Sequence, residues 1–581
     1  MNRSYPALLL ALAMLLSGCG SPAQTPPDSG SAHIRLTGST AECSSNAVRI
    51  SGSTVTILDE GTYILSGTLD NGMIVVDAEK TDKTQLVLNG VTIHSETSAP
   101  IYILQSDKVF ITTAEGTVNT LSNGGTFTAI DENNIDAAVF SKEDITLNGA
   151  GTLVVTSPGG HGIVSKDSLA INGGSYDINC ASHAIAGKDD VCIADGTFTI
   201  VSGKDGIHAE NADDAAAGFV SIGNGTYDIS AQGDGISASA YMQIDGGTFV
   251  ITTGGGSVNG EKKTSDLWGG FMGGMGGKPQ GGRPGGKQPG GSGGYPGGFQ
   301  GSFADSAADT STDSTSIKGI KAATALTINS GVFTINAADD AVHSNGSVTV
   351  NGGTFGIASG DDAFHADDTL TLTAGTIRIS ESYEGLEGLH INVSGGDITL
   401  TASDDGINAA GGTDSSGFTG GRDGMFGPGM GGHGMGSSSN GSITISGGTL
   451  QITAHGDGID ANGTLEITGG HITVCGPTQG DTATLDYDVS GTISGGTFIG
   501  TGASSGMAQS IRGAGQGVIA VSVGNQSADT EITLRDTNGN TVISHTPHLN
   551  FAVVILSSPG IITGETYTIT VGSASGTFTA D

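Results

Sequence analysis

The chain has 581 residues, enough for several domains, but only 5 % are aromatic and 101 are glycine, so several thick cores could not be filled. Fifty-eight acidic side chains against 21 basic ones give a net charge of −37, which repels phosphate backbones, excludes a nucleic-acid partner and attracts metal cations. A hydrophobic content of 36 % is too high for a disordered acidic chain and too low for a multispanning membrane protein, leaving a secreted or surface protein.

The first element is a leader. Arg3 gives a positive start, an apolar run follows to Leu16, and Leu16-Ser17-Gly18-Cys19 ends it. This segment resembles a bacterial lipoprotein signal over residues 1–19. The resemblance implies lipidation at Cys19, with the protein held on the outer face of a bacterial cell membrane through that anchor alone. Residues 20–32 have the Gly/Ser/Pro/Thr composition of a flexible tether. Of the remaining cysteines, Cys43, Cys180, Cys192 and Cys475 are expected as small fillers of a β stack and not as a disulfide framework.

From residue 33 to 500 the chain repeats. HGIVSKDSLAINGGSYDI from His161 recurs as HAIAGKDDVCIADGTFTI from His183, and DAVHSNGSVTVNGGTFGI from Asp340 as DAFHADDTLTLTAGTIRI from Asp362, each pair 22 residues apart. Every unit holds three short alternating segments of the kinds GIxA, LTI and GTFTI, separated by Gly-containing turns. Three strands per unit of about 22 residues predict an all-β, right-handed parallel β-helix whose coils bury their inward faces on one another. Alternation turns Tyr176, Phe198, Tyr227, Phe249, Phe333, Phe355 and Phe498 inward as one aromatic column. Gly-rich insertions at 254–316 and 411–440 interrupt the register and read as loops. Beyond 500 the segments look antiparallel, with Asn538-Gly539 as a hairpin turn, so residues 501–581 are expected to cap the open end of the stack.

Two columns carry the candidate chemistry. At the entrance to the GIxA strand, successive coils offer Asp339, Asp340, Asp361, Asp362, Asp404 and Asp405, with Asp205, Asp234, Glu384 and Asp457 in equivalent places. Stacking sets like charges about 5 Å apart, which calls for neutralisation, and Ca2+ suits carboxylates and carbonyls at an exposed corner. The alternative is that aspartate recurs because it makes good turns. No thiolate or imidazole cluster invites zinc. A sparser second corner runs through Asp167, Asp189-Asp190 and Asp367-Asp368. Three residues beyond the first corner, an outward column reads His208, Ser237, Lys321, His343, His365, Glu387, Asn408 and Asp460. That ladder could grip sugar hydroxyls or could be a solvated strand face; its sugar-binding candidates are Lys321, His343, His365, Glu387 and Asn408.

The run TILDEGTYILSGTL from Thr56, followed by QLVLNGVTI, FSKEDITLNGAGTLVVTS, HGIVSKDSLAINGG and the DDG corners, resembles the bacterial carbohydrate-binding family of right-handed parallel β-helices related to calcium-dependent pectate lyases. The resemblance spans nearly all of the chain after the leader. It implies a calcium-binding, polysaccharide-binding protein with cellulose or acidic, pectin-like sugars as ligands. Binding without catalysis, by a monomer, is the expectation. A lyase would need a base, for which Lys318 and Lys321 are the candidates, and a surface adhesin or spacer gripping a protein is the third reading.

Overall fold

The computed structural model describes residues 30–214, 216–260, 316–410, 440–478, 482–505 and 508–581. The leader with Cys19, nearly all of the tether and most of both insertions lie outside these residues.

The chain is a parallel β-helix, in which each coil adds one strand to each of three faces. On the GIxA face Ile163 pairs with Ile185 and Ile185 with Ile207; on the LTI face Leu169 pairs with Val191; on the GTFTI face Tyr176 pairs with Phe198. Parallel pairing at a spacing of 22 places identical sequence positions over one another, because the alternation of each strand locks which side chains face in. The two long insertions leave the ladder unbroken. Ile236 pairs directly with Ile320 and Ile407 with Ile459, so the coils before and after each insertion are neighbours in the ladder.

Burial follows the alternation. In Thr197–Ser202 the even members Phe198, Ile200 and Ser202 are buried and the odd members exposed. The aromatic column runs unbroken from Tyr176 through Phe198, Tyr227, Phe249 and Phe333 to Phe355, with ring centroids 4.6 to 5.1 Å apart and near-parallel planes. These spacings equal the separation of neighbouring strands, so the backbone imposes face-to-face stacking. Phe498 sits on the same face but pairs with Ile472, and Ile377, Ile398 and Leu450 fill the positions between.

At the C-terminal end the pattern turns antiparallel. Phe551–Ser557 pairs with Thr497–Gly502 and with Val518–Gln526, and a separate four-stranded antiparallel sheet follows. Its own core includes Ile532, Leu534, Tyr567 and Ile569. Closing the last coil in this way removes an exposed parallel edge. Among the described residues Cys43, Cys180 and Cys475 are free thiols, Cys180 and Cys475 buried.

Candidate functional site

The acidic corner is a column of its own, running through His183, Asp205, Asp234, Lys318, Asp340, Asp362, Glu384, Asp405 and Asp457. Its carboxylates serve the backbone of the next coil. Asp205 accepts from the Asp234 N–H at 2.9 Å, Asp234 from Lys318 at 2.8 Å, Asp340 from Asp362 at 2.9 Å and Asp362 from Glu384 at 3.1 Å. Asp405 serves the Asp457 N–H at 2.5 Å, and Asp457 that of Ala483. A coil corner leaves amides that no strand partner reaches, and a buried amide must find an acceptor. Aspartate therefore recurs here for a vertical bond between coils, which differs from both the metal and the local-turn readings of the sequence. The following glycine is equally constrained: a Cβ on Gly206 or Gly235 would lie 2.6 or 2.5 Å from the carbonyl oxygen of the next coil.

The outward column is in register from His208 to Asp460: His343 pairs with His365, His365 with Glu387, Glu387 with Asn408 and Asn408 with Asp460. It is not a solvated face. His343 and His365 are each 1 % exposed, Glu387 2 % and Asn408 7 %, while Lys321 is half-buried and bonded to Ser316 at 3.0 Å. Four of the five sugar-binding candidates are thus out of reach of a polymer lying on the surface. Toward the N-terminus the same column becomes apolar, through Val75, Tyr102, Phe140, Val164 and Ala186, and forms a small core of its own.

The proposed metal ligands separate into differently neutralised groups. Asp339 and Asp340 face Lys318, whose Nζ lies 3.3 and 2.7 Å from them and whose side chain is 4 % exposed. Burial alone would raise the Asp340 pKa, but Lys318 and the hydrogen bond from His343 hold it well below the carboxylate range. His343 is itself pushed down to about 4 by burial and by Lys318, so it is neutral at pH 7. One coil on, His365 bonds Glu387 at 2.5 Å and Asp362 at 3.2 Å through Nδ1, and Asp367 at 3.0 Å through Nε2. Burial opposes its charge, yet these three carboxylates hold its pKa well above the usual imidazole value. Glu387 is likewise pushed well above its ordinary value, first by burial, so the close pair holds one proton between them. The Lys318 ammonium and the proton held between His365 and Glu387 supply part of the neutralisation that the sequence assigned to calcium.

Imidazoles also cluster against expectation. His183 and His208 flank Asp205 at 3.4 and 2.9 Å, and His161 stacks on His183. Burial would raise the Asp205 pKa, but the two flanking imidazoles hold it below its usual value, and His183 Nδ1 accepts from the Asp205 N–H at 3.2 Å. The sequence signal was the HGI and HAI of His161 and His183, in the place where later coils carry DGI or DAV. These rings suit ion pairing better than shared metal ligation. His183 and His208 are stacked 4.5 Å apart and His343 and His365 4.8 Å apart, so in-plane lone pairs on parallel rings cannot converge on one ion at about 2 Å.

Carboxylate groups remain that fit a hard cation. Asp339, Asp340 and Asp361 form one set and Asp405, Asp457 and Asp460 another, with potential ligand oxygens in each within 4.8 Å of one another. At the second set, burial pushes Asp405 well above its ordinary pKa, and the negative charges of Asp457, Asp404 and Asp460 push it further. That is the repulsion a divalent ion relieves. Burial, and after it half-buried Asp404 alongside, raises the pKa of Tyr383. In the second acidic corner Asp167 is pushed up to about 6 by burial and by Asp144 and Asp189.

The family described as carbohydrate-binding domain-containing protein matches residues 51–363 and 361–573. A relative of that description in Acetivibrio thermocellus is 33 % identical over 187 residues, which are 30 % of this chain and 65 % of the relative, so the chain spans less than two thirds of that protein. A solved structure of a polysaccharide lyase-like protein from C. thermocellum, a gadolinium derivative, is 32 % identical, covers 39 % of this chain and 92 % of its own, and superposes with a TM-score of 0.38.

Proposed function

The chain belongs to the carbohydrate-binding domain-containing protein family, and from that premise we propose that it is a non-catalytic polysaccharide-binding protein, lipid-anchored through Cys19 on the outer face of a bacterial cell membrane. The observation that carries the reading is the extent of the family match, which takes in both the β-helix and the cap. Cellulose and acidic, pectin-like polymers are the ligand classes to test. The protein acts as a monomer.

Calcium belongs to this reading at the acidic corner. Lys318 already lies against Asp339 and Asp340, so the Asp405, Asp457 and Asp460 set is the better site, where neighbouring carboxylates raise the Asp405 pKa together with burial. Absence of catalysis is supported by the state of the two candidate bases read from the sequence. Lys318 is buried against two carboxylates and Lys321 is bonded to Ser316, so neither is free to take a proton from a bound uronate.

The test is binding of the full chain to immobilised cellulose and polygalacturonate, with calcium and with chelator. Saturable binding that weakens in chelator is expected, without unsaturated product absorbing in the ultraviolet. Loss of all binding in both conditions contradicts the function, and ultraviolet-absorbing product contradicts its non-catalytic part.

A further inference from the structure

If the polar ladder is buried, a polysaccharide must meet the protein elsewhere. The corner between the LTI and GTFTI faces forms an open polar groove of about 330 Å³ running across three coils. Asp195, Thr197, Asn224, Thr226 and Thr248 line it, over a floor of glycines. Thr197, Thr226 and Thr248 are paired strand to strand and all exposed, so one hydroxyl is presented per coil at the strand spacing of about 4.8 Å. The floor stays open for a reason internal to the fold. Gly225 has φ +131°, and a Cβ there would lie 2.8 Å from the Tyr227 hydroxyl, which must reach the Asn224 carbonyl at 2.8 Å.

We propose that this groove holds one neutral, extended glycan chain lying along the helix axis, with about one sugar per coil. The inference rests on the polysaccharide-binding reading and narrows it. Three observations fix the ligand class. The repeat of Thr197, Thr226 and Thr248 hydroxyls along the axis matches a polymer whose own hydroxyls recur at a similar interval, and a globular partner has no such period. Charge excludes polyuronates: Asp195 lines the groove, Asp177 and Asp228 are exposed on the adjoining strands, and no Lys, Arg or His lines it. Each sugar carboxylate brought to about 4 Å of one of these would be repelled by about 1 kcal/mol even in water. Stacking on aromatic faces is not the mode of grip, since the inward rings are buried and the outward pair Phe219 and Tyr241 cover one another at 5.1 Å. Sugar hydroxyls bond the Thr and Asn side chains instead, while Val201 and Val250, 48 and 46 % exposed on the same face, offer apolar ledges for sugar C–H groups.

The test is affinity electrophoresis of the full chain in gels containing hydroxyethyl cellulose or polygalacturonate. The groove variant is Asn224→Ala with Thr226→Val, which keeps the carbonyl used by Tyr227, and Thr327→Val on the LTI face is the control. Retardation by hydroxyethyl cellulose is expected, weakened about tenfold in the groove variant through two lost hydrogen bonds and unchanged in the control. Unaltered retardation of the groove variant overturns the groove and leaves the polysaccharide-binding reading standing. Retardation by polygalacturonate that the groove variant abolishes overturns the neutral-chain assignment. If neither gel retards the protein, and the immobilised-polymer assay is also blank, the parent reading falls and the groove with it.

Discussion

Replacing Lys318 by Met tests whether fixed cations of the chain hold the acidic corner together. The side chain is 4 % exposed and lies 2.7 Å from Asp340 and 3.3 Å from Asp339. Methionine fills similar space but leaves buried negative charge uncompensated, a change that costs about 3–5 kcal/mol when one partner of a buried pair is removed. His343 moderates the loss. Its Nδ1 lies 2.8 Å from Asp340, and Lys318 is one of the groups keeping it neutral, so without Lys318 it can take up a proton and replace part of the charge. The lower end of the range, about 3 kcal/mol, is therefore expected, equivalent to roughly a hundredfold in a local opening equilibrium. Native-state hydrogen exchange reads this at the Asp362 amide, which bonds to Asp340. Its exchange should rise about a hundredfold, with amides of Lys108–Thr113, many coils away, unchanged. Adding Asp340→Asn, which removes a charge that needs a cation, should recover much of the loss. Unchanged exchange at Asp362, or equal acceleration along the whole chain, would refute the reasoning.

Phe249→Ala removes a fully buried ring stacked between Tyr227 and Phe333 and should cost about 3–5 kcal/mol, read as increased exchange confined to neighbouring coils. Lowering the pH from 7 to 5 should destabilise the coils around His161 and His343. Their pKa values fall on folding from 6.5 to about 3 and about 4, so protons bind the unfolded chain first and stability drops as pH falls through 6.5. His365 works in the opposite sense, since its raised pKa gives stability that is present below 6.5 and lost as pH rises through its folded value. Thermal denaturation of His343→Leu between pH 5 and 7 should accordingly show a shallower acid loss than the parent chain.

What could be read from the sequence was whatever depends on vertical alignment. A spacing of 22 residues with Phe198 and Ile200 alternating against Thr197 and Thr199 is enough to stack Tyr176 on Phe198 and to align His343 over His365. What could not be read was coverage. Period-2 alternation tells that His365 points away from the coil interior, but not that the ring is nearly fully buried among Asp362, Asp367 and Glu387, which local pattern does not encode. The neutralising groups were hidden for a related reason. Lys318 occupies an aspartate position in the corner column, so its partnership with Asp340 appears only once the coils are stacked, and His183 substitutes there in the same way. The link from the Asp205 carboxylate to the Asp234 amide was equally invisible, because aligning the two corners does not reveal that the side chain of one bonds the backbone of the other.

Isothermal titration of soluble cellulosic and pectic polysaccharides into the full chain, in calcium and again after chelation, tests the central claim most directly. A saturable heat with at least one polymer in calcium, diminished after chelation, is the predicted result. The absence of heat with every polymer in calcium would contradict a polysaccharide-binding role for this β-helix.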